Sequence, residues 1–157
     1  MVKLMKKLKI FISTFFLLFL FFTKSISLEN EILFKINNEI ITKIDVDNEY
    51  KYLISLNKNL KDLNRDKILE ISKRSIIKEK IKDIELSKNF ENPKIPKRYL
   101  EMLLQNIYEK INIENLDDFK KYLANNNVDY NIVVKKIEIE ALWNELIIKK
   151  YSSKVKI

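Results

Sequence analysis

The sequence predicts a mainly α-helical fold, a helical module with a small N-terminal β-hairpin and a short C-terminal strand, and three observations carry that expectation. From residue 43 onward apolar side chains recur at spacings of three, four and seven, the mark of helices with a buried stripe. Ahead of them, "ILFKINNEIIT" sets two short apolar runs on either side of a pair of asparagines. Between the periodic segments stand short polar residues that start and stop helices, in a chain without a single glycine.

The hairpin comes first. A two-residue turn wants positive φ at both central positions, and where glycine is absent asparagine is the best substitute, so Asn37-Asn38 is the expected turn. Period-two alternation then places Phe34 and Ile36 on one face of the first strand, with Ile40 and Ile41 opening the second. Thr42-x-x-Asp45 is a capping signal that starts a helix at Lys43, running to about Leu56. A hairpin this short is marginal alone, so it must dock on the helices.

After the polar link "NKNLKDLN", Arg65 to Ser87 carries Leu69, Ile76, Ile77, Ile81 and Ile84 as its stripe, and "NFENPKIP" ends it. Pro96 suits an early helical position ahead of Lys97 to Lys110, where Leu100, Leu103, Leu104, Ile107 and Ile111 share a side. A short helix is expected from Asn115 to about Ala124, stopped by the asparagine run that follows, and then the longest late helix, Tyr130 to about Lys150. "KVKI" at 154–157 reads as a lone strand. Lysine-rich runs such as "KEKIKDIE" at 78–85 read as solvated helix faces.

Residues 1–27 have the three parts of a secretory signal peptide: a lysine-rich start, an apolar run from Ile10 to Phe22, and Ser25-x-Ser27. Thirteen residues span about 20 Å as a helix against about 30 Å of hydrocarbon, which favours cleavage over a spanning anchor, although Lys24 keeps an uncleaved inner-membrane anchor open. The remainder, 28–157, suits one domain. The chain as a whole is +8, but five of its thirty basic residues and none of its twenty-two acidic ones lie in the leader. The mature portion is therefore only slightly basic, with its charges interspersed, which argues against a nucleic-acid partner.

Missing residue types exclude most chemistry. Without histidine or cysteine the chain has no usual zinc ligand set, no Ser-His-Asp triad and no thiol nucleophile. Without glycine it has neither a P-loop nor a dinucleotide fingerprint. The carboxylate pairs Asp45/Asp47 and Asp117/Asp118 sit near helix starts, where acids favour the positive end of the dipole. No catalytic residue and no cofactor is implied, and stability has to come from helix packing without disulfides.

The segments "INNEIITKIDV" (36–46), "ILEISKRSIIKEKI" (68–81), "NLDDFKKYLANNNVDYN" (115–131) and the closing "KVKI" together resemble the N-terminal module of the SurA-type periplasmic chaperones. The resemblance spans roughly residues 31–157 and rests on hydrophobic patterns and turn residues. It implies a periplasmic module that binds unfolded outer-membrane proteins during export and assembly. Members of that family continue into parvulin-type prolyl isomerase domains, whose sites use histidines. A chain with no histidine is not expected to isomerise proline, and a separate subunit would have to supply that activity.

The last helix yields the candidate site. On a wheel of 100° per residue, Tyr130, Val133, Ile137, Ala141 and Ile148 fall on one side, while Ile132, Ile139, Leu142, Trp143 and Leu146 fall roughly opposite. A helix apolar on two sides is built to be covered on two sides. Either neighbouring helices of the module cover both, or one side stays open for a client, a second copy or another subunit. In the open case Ile139, Leu142, Trp143 and Leu146 are the client-binding candidates, and Met102 and Tyr99, off the main stripe of their helix, extend the surface. Three readings follow: a chaperone-like module for unfolded apolar-aromatic segments, a structural or assembly protein that dimerises, and a fragment of an isomerase.

Overall fold

Strand β1 (Ile32–Ile36) pairs antiparallel with β2 (Glu39–Thr42) in a computed structural model that describes residues 31–91 and 93–152. The expected signal peptide and the strand at 154–157 lie outside those residues. Ile36 faces Glu39 across the two-residue turn, and Asn37 alone of the pair takes positive φ (52°), so the turn is not the doubly left-handed form that paired asparagines suggest. Between Ile32 and Phe34 the register shifts, leaving Leu33 as an extra residue in β1. The bulge alters the alternation only ahead of Phe34. From Phe34 to Ile36 the pairing is regular, so these two share a face as expected; Leu33 and Ile36 pack against the cluster around Ile41, while Phe34 keeps 38% of its exposure.

Five helices follow among the described residues: α1 (Lys43–Leu56), α2 (Arg65–Asn89), α3 (Lys97–Lys110), α4 (Leu116–Asn125) and α5 (Tyr130–Tyr151), with a 3₁₀ turn at Lys58–Asp62. Each start is chemically specified. The Thr42 hydroxyl accepts from the Asp45 amide at 3.3 Å while the Asp45 carboxylate accepts from the Thr42 amide at 2.8 Å, a complete capping box for α1. Asn64, Asn115 and Asp129 cap α2, α4 and α5 through their side-chain oxygens. Pro96 stands at the N-cap of α3, one place earlier than expected.

The stops show how a chain without glycine ends its helices. After α4, Asn127 takes φ 55°, its amide donates to the Ala124 carbonyl at 3.0 Å, and the Val128 amide donates to Leu123 at 2.9 Å. After α3, Asn112 takes φ 63°, with Asn112 to Glu109 and Ile113 to Tyr108 both at 2.9 Å. Both are Schellman closures in which asparagine tolerates the left-handed position. Val128 and Leu123, the two residues the motif brings together, are both buried.

Helices α2 and α5 lie against each other, with α1 on α2 and α3 and α4 on α5. Three apolar clusters result. Ile41, Val46 and Ile76 fasten the hairpin to α1 and α2. Leu104, Phe119, Leu123, Val133 and Ile137 join α3, α4 and α5, with the Tyr108 and Phe119 rings 5.8 Å apart. Leu86, Ile139, Leu142 and Leu146 join the end of α2 to the second half of α5. The buried stripe of α2 is Ile68, Ser72, Ile76 and Leu86 rather than one through Ile81, which is half exposed. The Ser72 hydroxyl is satisfied by the Ile68 carbonyl at 2.8 Å, so a fully buried serine costs little. No described helix is long and apolar enough to cross a membrane.

Candidate functional site

Two features meet on the middle of α5: a groove toward α3 and a buried charge cluster toward α1 and α2. The groove has a volume of about 320 Å³. Tyr99, Leu103 and Ile107, one helical turn apart each, form its α3 wall, and Ile137, Ala141 and Asn144 form its α5 wall. The small Ala141 leaves the space, because the facing leucine and isoleucine have no large side chain to interlock with there. Tyr52 and Lys136 close the bottom, and Asn106, Lys110 and Glu140 supply polar groups around the apolar centre. Apolar walls with a few convergent polar groups are the usual make-up of a ligand site, and the volume is at the low end for one, enough for a side chain or two of a peptide.

The cluster is made by Glu49 of α1, Glu79 of α2 and Lys136 of α5. Glu49 keeps 2% of its exposure and Lys136 6%. Lys136 Nζ lies 2.5 Å from Glu49 Oε2, is hydrogen-bonded to Glu79, and sits 4.9 Å from the centre of the Tyr52 ring. One ammonium therefore serves two carboxylates in the interior. No hydrogen-bond donor among the described residues is aligned on either Glu49 oxygen, so its compensation is the ion pair alone. Burial pushes the Glu79 carboxyl above its usual range, with Lys136 opposing and the Glu49 charge adding to the rise. Burial also pushes the Tyr52 phenol up, aided by Glu49, Glu79 and Glu140. Glu79 lies within the run "KEKIKDIE", expected as a solvated face; its side chain keeps only 19% of its exposure because α5 carries a lysine directly opposite.

The expected client-binding residues divide between interior and surface. Ile139, Leu142 and Leu146 are buried at 4%, 6% and 3%, covered by Leu86, Phe90 and Ile95. That side of α5 is thus the covered alternative, closed by the end of α2 and the segment after it. Ile139 and Leu142 reach only the floor of a separate, more polar hollow beside Asp83, Lys94 and Lys135. Trp143 is half-buried at the rim of the same cluster, with Lys82 Nζ 5.9 Å from its ring and Lys82 itself paired to Glu140 at 2.5 Å. Tyr99 (42% exposed) lines the groove, while Met102 (47% exposed) stands outside it.

Sequence reasoning missed Ala141, Leu103 and Ile107 as groove walls and the whole cluster. The signal for the groove is one small residue in a helix otherwise filled with large apolar ones. For the cluster there is only a lysine at position 136 between Val133 and Ile137, which both face the core. Among the described residues no group of three or more histidine, cysteine or acidic side chains is placed to hold a metal ion. Comparison with protein-family models, with curated proteins and with solved structures finds no match, so the SurA-type resemblance rests on the sequence segments quoted above.

Proposed function

We propose that this protein is a chaperone-like binding module of the periplasm, which holds apolar-aromatic segments of unfolded outer-membrane proteins in the groove between α3 and α5. The observation that carries this reading is the groove itself: apolar walls left open by Ala141, with an exposed tyrosine at the side and amide and charged groups around it. Such a site takes a large side chain of an extended segment and offers hydrogen bonds to the backbone on either side. The three-part leader and the resemblance to SurA-type modules support the compartment and the class of client. A holding role requires no bond-making.

The reading is tested by titrating a fluorescently labelled, aromatic-rich peptide from an unfolded outer-membrane protein into the mature chain and following anisotropy. Saturable binding is expected. Ala141→Phe, which fills the groove from inside, should weaken it about tenfold or more, and Tyr99→Ala should cost more than about 1 kcal/mol of binding free energy. Peptide affinity equal in Ala141→Phe and the parent chain would place the binding surface elsewhere. A concentration-dependent dimer that loses peptide binding altogether would favour the assembly reading.

A further inference from the structure

The Glu49–Lys136–Glu79 cluster holds two carboxylates against one ammonium where three helices meet, and its members take part in two separate spaces. Lys136 and Tyr52 close the bottom of the groove. A second hollow, of about 160 Å³, is lined by Glu49, Glu79 and Lys136 together with Asp45, Asn48, Lys80 and Lys135. This is room for water, with polar partners around it, and so a path for protons to the cluster. Four charged groups around the cluster have partners of their own. Lys80 pairs with Glu39 of β2 at 3.0 Å, Lys135 with Asp83 at 2.9 Å and Glu140 with Lys82 at 2.5 Å, while Asp45 is held in the α1 capping box. Asp45 and Glu140 are themselves acids, and Lys135, although paired, only partly opposes the burial that raises the Glu79 carboxyl.

We propose that the cluster is a proton-operated latch: uptake of one proton by Glu79 makes it neutral, closes α1, α2 and α5 on one another and stiffens the floor of the groove. The balance is simple. The proton comes from solvent through the hollow and goes to a Glu79 carboxylate oxygen, leaving Lys136 paired with Glu49 and removing like-charge repulsion between the two acids. Glu79 is the member that solvent still reaches, and burial already raises its carboxyl. A carboxyl raised in the folded state stabilises the fold fully below the ordinary carboxylate value, and that stability is lost as pH rises through the raised folded value. The latch is therefore tight below the raised Glu79 value and loose above it. Its effect on client binding rests on the groove reading above; the proton uptake does not.

The experiment separates the two. Carboxyl-carbon NMR of the intact protein without peptide should show Glu79 titrating above the ordinary glutamate range, and a midpoint within or below that range overturns the latch. As pH is lowered from above the Glu79 midpoint found by NMR toward the ordinary carboxylate value, the unfolding constant of the parent chain should fall, by at most about tenfold per pH unit for one proton, while Glu79→Gln lacks that one-proton component. Identical pH profiles for the two chains overturn it as well. If Glu79→Gln does not fold, the NMR titration decides alone. With the same aromatic-rich peptide, the parent chain should bind more tightly at the lower pH and Glu79→Gln should not respond. A peptide that binds neither chain at either pH defeats the groove reading and the latch's effect on it, with the titration still deciding the proton uptake.

Discussion

Along α5, Ile139, Leu142 and Leu146 lie sealed beneath Leu86, Phe90 and Ile95, whereas Ala141, between the first two of them in sequence, lines an open groove beside the buried Ile137. Both sides of the helix carry large apolar residues, Ile137 as deeply buried as Leu142. What differs is the neighbour. Toward α2 the contact is continued by the chain beyond the helix, whose Phe90 and Ile95 fold over the apolar residues. Toward α3, the alanine at 141 meets a leucine and an isoleucine that cannot fill the gap. Exposure on this helix is decided by the shape of what comes against it, and the patch that hydrophobicity alone marks as sticky is the one already buried.

The largest expected effect breaks neither side but the charge cluster between them. Lys136→Met should lower folding stability by about 3 to 5 kcal/mol in urea unfolding, because it strands two carboxylates in the interior. Replacing Glu49, Glu79 and Lys136 together by Leu, Leu and Met should restore most of the loss. A Lys136→Met protein as stable as the parent would mean that water, rather than lysine, satisfies the carboxylates.

Leu142→Ala tests the sealed side. It should cost about 2 to 5 kcal/mol of stability. Peptide affinity per folded molecule should be unchanged, the reverse of Ala141→Phe, and a change in affinity with little change in stability would reopen this side as a client surface. The smallest effect concerns the joint that aims α5. Asn127→Ala puts a β-carbon without asparagine's local hydrogen-bonding capacity into a left-handed position and should cost about 1 to 2 kcal/mol, while Asn127→Gly should be tolerated. Thermal melts of both variants distinguish them.

Local chemistry was legible from the residues. Thr42-x-x-Asp45 placed the start of α1, Lys97 and Lys110 bounded α3 as expected, and the asparagine runs marked where helices stop, since caps are made by hydrogen bonds between residues a few positions apart. The site was less legible. Tyr99 was the one candidate that the structure brings into the groove, and Ile139, Leu142 and Leu146 went to the interior. No local pattern says which of two apolar sides of a helix will be covered.

By itself, then, the sequence determined the helices, their ends and the absence of histidine, cysteine and glycine chemistry, because these depend on each residue and its near neighbours along the chain. Tertiary structure alone decided three things. Packing on the helices took Ile36 inward and left Phe34 on the same face exposed, the approach of Glu49 and Lys136 drew Glu79 out of a run that read as solvated, and the facing of α3 by Ala141 opened the groove. The physical reason is common to all three: each is set by side chains from segments distant in sequence, whose packing geometry exists only after the helices have come together.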